Sequence, residues 1–145
     1  GPVPTDDYEI SFGQAAILRE GTDLTLVAIG RMVPLALEAG QKLAADGASL
    51  EVIDPRTVAP LDVETILHSV AKTGRLLIAD ECFAPYGIGS EIAAQIADRG
   101  FDELDAPIRR VNGLHTPTPY SPTLEAAVVP KLQDLVKSAQ NLLDE

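Results

Sequence analysis

One cysteine, Cys82, is all the sulfur chemistry this 145-residue chain can offer. A single thiol excludes an internal disulfide framework, and no Cys/His cluster has zinc spacing, so a reducing compartment is the default expectation. Cationic side chains are also scarce, with 11 Lys and Arg against 22 Asp and Glu and a net charge of −11. That balance repels phosphate backbones and excludes a nucleic-acid role, and any charged partner should be basic. No apolar run approaches the length of a membrane span, so no membrane role is expected. These residues start without an initiator Met, a basic segment with an apolar core or an Arg-rich amphipathic stretch, so a fragment or processed chain is expected, and they hold no internal repeat or low-complexity tract.

What is present is a body of 46% hydrophobic residues, enough for one domain with a sizeable core and no metal or disulfide staple. Gly1-Pro2-Val3-Pro4 resists both helix and sheet, so residues 1–12 are expected to form a linker or N-terminal extension and 13–145 the folded domain. Leu24 to Ile29 is a continuous apolar run of β-forming residues, the pattern of a strand covered on both faces by helices. Val33, Ala36, Leu37, Gly40, Leu43 and Ala44 then fall on one helical stripe that Gly47 can close. Leu50 to Ile53, Arg75 to Ala79 and Ile108 to Val111 repeat the strand pattern. Val63, Ile66, Leu67 and Val70, and later Gly89, Ile92, Ala93 and Ile96, mark the helices between them.

Three prolines, Pro117, Pro119 and Pro122, forbid regular structure until Ser121-Pro122 starts a turn of helix. A terminal helix follows Pro130 on Leu132, Leu135, Val136, Ala139 and Leu143. Strands alternating with helices imply parallel crossovers, hence an α/β fold arranged as a three-layer α/β/α sandwich. Ala15 to Arg19 adds an edge strand, joined to the first central strand by Glu20-Gly21-Thr22-Asp23. That connection is short enough to require antiparallel pairing.

Chemistry is densest in Asp54-Pro55-Arg56-Thr57-Val58-Ala59-Pro60-Leu61-Asp62, between a strand and a helix that Asp62 can cap. Arg56 is expected to lock this loop to a carboxylate or to backbone carbonyls, which makes Asp54, Arg56 and Asp62 a structural bracket. Gly87-x-Gly89-Ser90 is expected to be a tight turn and helix start, because the third glycine and the distal acid of a dinucleotide fingerprint are missing. Asp80 and Glu81, adjacent on a strand, point to opposite faces and do not form an acid/base pair. Cys82 is expected to be a small buried hydrophobe, His68 a surface residue, and His115 a noncatalytic histidine in a stiff exposed segment.

Glu51-Val52-Ile53-Asp54-x-Arg56-Thr57-x-x-Pro60-Leu61-Asp62 resembles the C-terminal domain of the transketolase superfamily, most closely the β subunit of the E1 component of 2-oxo acid dehydrogenases. Three more blocks fit in the same order. These are Asp7-Tyr8 with Gly13, Leu26 to Val33, and Thr73-Gly74-Arg75-Leu76 leading to Glu81 and Gly87 to Glu91. The likeness runs from about Val3 to Val136. It implies a mixed, mostly parallel five-stranded sheet whose first strand is antiparallel. His115 departs from the Asp that many E1 β subunits carry near this point.

The resemblance implies a parent enzyme that decarboxylates a 2-oxo acid such as pyruvate or a branched-chain acid, or cleaves acetoin, on thiamine diphosphate and Mg²⁺. That parent passes the acyl group to a lipoyl arm. The Gly-Asp-Gly and Asn-Asn diphosphate motif of the family is absent from these residues, so no catalytic, cofactor-binding or metal residue is expected here and the chain alone is expected to be inactive. Implied partners are the E1 α subunit, a second E1 β subunit and the small basic subunit-binding domain of the E2 acyltransferase. Asp102, Glu103, Asp105, Asp144 and Glu145 are the expected partner interface. The implied location is cytoplasmic, or the mitochondrial matrix in a eukaryote. Other readings are an independent phosphate- or nucleotide-binding α/β enzyme using Gly87 to Glu91, and the C-terminal domain of a transketolase or deoxyxylulose phosphate synthase.

Overall fold

The computed structural model describes residues 5–145, so Gly1 to Pro4 of the expected linker lie outside it; Thr5 to Phe12 form neither helix nor strand. Five strands make one sheet in the order β1-β3-β2-β4-β5, with β1 at Ala16–Arg19, β2 at Leu24–Ala28, β3 at Leu50–Asp54, β4 at Leu76–Phe83 and β5 at Arg109–Gly113. All neighbours run parallel except β1, which is antiparallel to β3. The central strands are largely apolar and buried because helices cover both faces, with Thr25, Glu51 and Asp80 as buried polar exceptions.

One face of the sheet carries α1 (Met32–Ala45) and α5 (Leu132–Leu143), packed on Leu24, Leu26, Leu50, Val52 and Leu77. The other carries α2 (Val63–Thr73) and α3 (Ile88–Arg99), packed on Val27, Ile53, Leu76 and Ile78. A short helix α4 (Pro122–Val128) follows β5. Each fully buried Leu, Ile or Val contributes about 1.5–3 kcal/mol, so the two aliphatic layers hold the sandwich together without a staple.

The edge strand departs from expectation in its partner. Antiparallel pairing holds, but β1 lies on β3 and not on β2, since both edges of β2 are occupied by parallel ladders to β3 and β4. The chain must therefore cross the start of β3 to reach β2. It does so at Gly21, where a Cβ would collide with the backbone of Leu50 and Glu51. The N–H groups of Thr22 and Asp23 donate to Ser49 O at 3.0 and 2.9 Å, and Asp23 Oδ2 accepts Ser49 N at 2.8 Å.

Other boundaries shift for local reasons. The β4 strand runs on to Phe83 with its last three residues exposed, which places Cys82 at the surface and corrects the expectation of a buried thiol. The terminal helix buries Leu142 in place of Leu143. Helix α3 is capped at Gly87, ahead of Gly89 and Ser90.

Candidate docking surface

The Asp54 to Asp62 loop is a bracket, although the lock is not the one expected. Asp54 Oδ1 accepts the backbone N–H of Arg56 at 2.8 Å, and Arg56 takes a left-handed φ of 58°. Its guanidinium is exposed and, among the described residues, makes no hydrogen bond or ion pair; the short Asp54 side chain reaches the nearer backbone donor instead. Thr57 Oγ1 accepts Gly13 N at 2.9 Å and donates to Pro60 O at 2.8 Å. Asp62 Oδ1 caps α2 by accepting Thr65 N at 3.1 Å, and Oδ2 accepts Thr65 Oγ1 at 2.7 Å and Ala15 N at 2.9 Å. Burial pushes the Asp62 carboxyl up, but the Ala15 and Thr65 donors outweigh it and hold its pKa below the ordinary aspartate value.

Of the five acidic residues, Asp105 and Glu145 are tied to the amino ends of β4 and β5, and Asp102, Glu103 and Asp144 are exposed residues close to them in sequence. Asp102 and Glu103 lie exposed on a 3-10 turn, Phe101–Glu103, that follows α3. Asp105 N donates to Gly74 O at 2.8 Å, and its carboxylate sits where a Cβ of Gly74 would be; Gly74 closes α2 with φ 68°. Glu145 pairs with Arg109, the first residue of β5, and Arg75 Nε donates to Leu142 O at 3.0 Å, which ties the end of α5 to the start of β4. Asp144 precedes Glu145 as an exposed residue. The sequence spacing of 40 positions between Asp105 and Glu145 gives no hint of this convergence.

Beside these acids lies a feature that sequence reasoning missed. Ala93, Ala94, Ala97, Phe101, Leu104 and Ile108 line an open apolar groove of about 630 Å³ with Asp105 at its rim, and Phe101 is 72% exposed. The available signal was the row of small residues on α3, which permits close approach from outside, followed by an unpaired Phe. An exposed apolar groove edged by charge is a candidate contact surface.

Elsewhere, His68 Nδ1 meets Glu64 O on its own helix at 2.8 Å, and the His115 ring lies 5.6 Å from that of Phe83. Asp80 Oδ1 accepts Cys82 N at 3.0 Å, while Glu81 faces out. Burial, followed by the Asp80 and Glu81 carboxylates, pushes the Cys82 thiol up. No described helix is long and apolar enough to cross a membrane.

A parallel sheet with one antiparallel edge, sandwiched by helix pairs, defines the class as a three-layer α/β/α domain. The chain belongs to the transketolase C-terminal domain family, whose model, described as "Transketolase, C-terminal domain", matches residues 13–135. It is 48% identical over 145 residues to the acetoin:2,6-dichlorophenolindophenol oxidoreductase subunit beta of Bacillus subtilis, covering 100% of this chain and 42% of that protein. It is 42% identical over 136 residues to the mitochondrial pyruvate dehydrogenase E1 component subunit beta of Dictyostelium discoideum, covering 94% of this chain and 38% of that one. Among solved structures, a split-gene transketolase described as an inactive β4 tetramer superposes with a TM-score of 0.83 at 28% identity, over 99% of this chain and 46% of the other. The chain thus spans about two fifths of the curated relatives it matches.

Thiamine diphosphate with Mg²⁺, which the family resemblance implies for a parent enzyme, does not fit the residues present. Among those described, no three His, Cys, Asp or Glu side chains are grouped so as to hold a metal. The helix start that would receive a phosphate, Gly87 at α3, already faces the buried carboxylate of Asp80.

Proposed function

We propose that this chain is the noncatalytic C-terminal domain of a thiamine-diphosphate-dependent E1 β subunit, with residues 1–12 as linker and 13–145 as the domain. The parent enzyme oxidatively decarboxylates a 2-oxo acid or cleaves acetoin and transfers the acyl group to the lipoyl arm of E2. In that setting the domain supports contacts with the E1 α subunit and a second E1 β subunit, and its acidic corner receives the subunit-binding domain of E2. The coenzyme and Mg²⁺ are held elsewhere in the parent, which works in the cytoplasm or, in a eukaryote, the mitochondrial matrix.

The observation that carries this reading is the corner itself, where Asp105 lines the Phe101 groove, Asp102 and Glu103 share the 3-10 turn with Phe101, and Glu145 pairs with Arg109, next in sequence to the lining Ile108. A basic partner with an apolar anchor finds there both steering charge and a pocket to fill. The relatives named above support the parent class, since their names are those of E1-type β subunits. Against an independent phosphate-binding enzyme stands Asp80, whose carboxylate would repel an anion at the α3 start.

Calorimetry with three ligands tests the proposal. Heat with an E2 subunit-binding domain, and none with thiamine diphosphate plus Mg²⁺ or with ATP, is the expected result. Micromolar binding of a nucleotide would overturn it.

A further inference from the structure

Two buried acceptors near the carboxyl end of β4 have no hydrogen-bond partner: Asp80 Oδ2 and Asn112 Oδ1. The two residues are register partners on the adjacent parallel strands β4 and β5, so their side chains leave the same side of the sheet. Asp80 is 1% exposed. Its other oxygen is engaged by Cys82 N, and the Asn112 amide is oriented by Nδ2 donating to Cys82 O at 3.2 Å. Exchanging the amide atoms would set oxygen against oxygen, so Oδ1 stays the outward acceptor. The chain then turns over this spot. At Gly87, the position a Cβ would take lies 2.7 Å from Phe83 O and 3.4 Å from Asp80 Oδ2.

Leaving such oxygens unsatisfied costs about 1–3 kcal/mol each, and more for a charged group, so the arrangement calls for something that offers only positive charge or donors. The Arg110 guanidinium does not supply it, being hydrogen-bonded to Ala84 O at 3.0 Å and to Ser90 Oγ at 2.5 Å. We propose that Asp80 Oδ2, Asn112 Oδ1 and the Phe83 carbonyl bind a monovalent alkali cation. All the ligands are hard oxygens, which select alkali or alkaline-earth ions over transition metals. Only one of them is charged, so a monovalent ion leaves the cage neutral whereas a divalent one would bury an excess positive charge. The nearby Arg110 and the positive end of α3 oppose the ion and place its affinity at the weak end, on the order of millimolar. This site is independent of the docking reading.

The test is thermal unfolding of the full chain in KCl, NaCl or choline chloride at equal ionic strength, with MgCl₂ as a fourth arm. At about ten times its Kd, K⁺ or Na⁺ should raise the midpoint by about 3 °C over choline. The increment should saturate, and Asn112→Ala should lose it. Crystals soaked in RbCl should give an anomalous peak between Asp80 and Asn112, a readout that needs no variant to fold. Identical midpoints in alkali and choline, a larger effect of Mg²⁺, or a Rb⁺ peak elsewhere would each overturn the proposal, as would an ordered water in place of the peak.

Discussion

Asp62 holds Ala15 across 47 positions of sequence: one carboxylate oxygen accepts Ala15 N at 2.9 Å while the other caps α2. The bracket thereby joins the edge strand to the first helix of the opposite layer. Asp62→Ala should cost about 1–2 kcal/mol, the worth of a lost N-cap, read from urea unfolding at pH 7. The folded-state pKa of Asp62 is depressed, so its stabilisation is present above the ordinary aspartate value and is lost as pH falls through the folded one. The penalty of Asp62→Asn should accordingly shrink at low pH, where the wild-type carboxyl is protonated too. A pH-independent penalty would contradict this role.

Gly21 is where the backbone crosses the start of β3, and its missing side chain is the reason it can. Gly21→Ala must displace either strand, so a loss of several °C in the unfolding midpoint is expected. Gly47, which has nothing within 4 Å of a built Cβ but a φ of +90°, is the comparison site; there Ala meets only backbone strain of about 1–2 kcal/mol.

The Glu51 side chain, 1% exposed, pairs with Lys72 and accepts Gly21 N at 3.3 Å. Burial pushes its carboxyl up, but Lys72, Ser69 and the Gly21 N–H outweigh that and hold it below the ordinary glutamate value; Glu51 in turn raises Lys72. Lys72→Met strands a buried carboxylate and should cost about 2–4 kcal/mol, a value reduced because the ammonium is 41% exposed. Glu20, at 78% exposure, is a surface partner, and Glu20→Gln should cost less than about 1 kcal/mol. The pair's stability should fade as pH drops through the folded pKa of Glu51, hold across neutral pH, and fade again only as pH rises through that of Lys72. Equal costs for the two variants in chemical denaturation would refute the assignment.

Cys82 is exposed yet has a raised pKa, so its thiol should stay protonated at pH 7 and react with iodoacetamide more slowly than a free cysteine. Glu81→Gln should quicken it. A rate at or above that of glutathione would show that the carboxylates do not govern this thiol.

Much of this architecture was readable from periodicity. The apolar runs at Leu24 and Leu50 mark the buried strands, and Ile66 with Val70 and Ile92 with Ile96 mark the helix faces. What periodicity misses is non-local. The partner of β1 depends on which strand edges remain free once β3 and β4 flank β2. The exposure of Cys82 depends on β4 outrunning its helical cover. Arg56 misled because a guanidinium looks like the stronger lock, whereas Asp54 reaches a backbone N–H two residues away. The acidic corner was half legible: the residues are plain in the sequence, but the groove beside them exists only once α3 lies against β5.

The docking account is tested most directly by titrating the chain with an E2 subunit-binding domain in the calorimeter at low and raised salt. Saturable binding that weakens with salt, and that falls at least about tenfold in Phe101→Ala without a drop in unfolding midpoint, is the expected result. No heat with the wild-type chain, or binding that ignores both salt and Phe101, would contradict it.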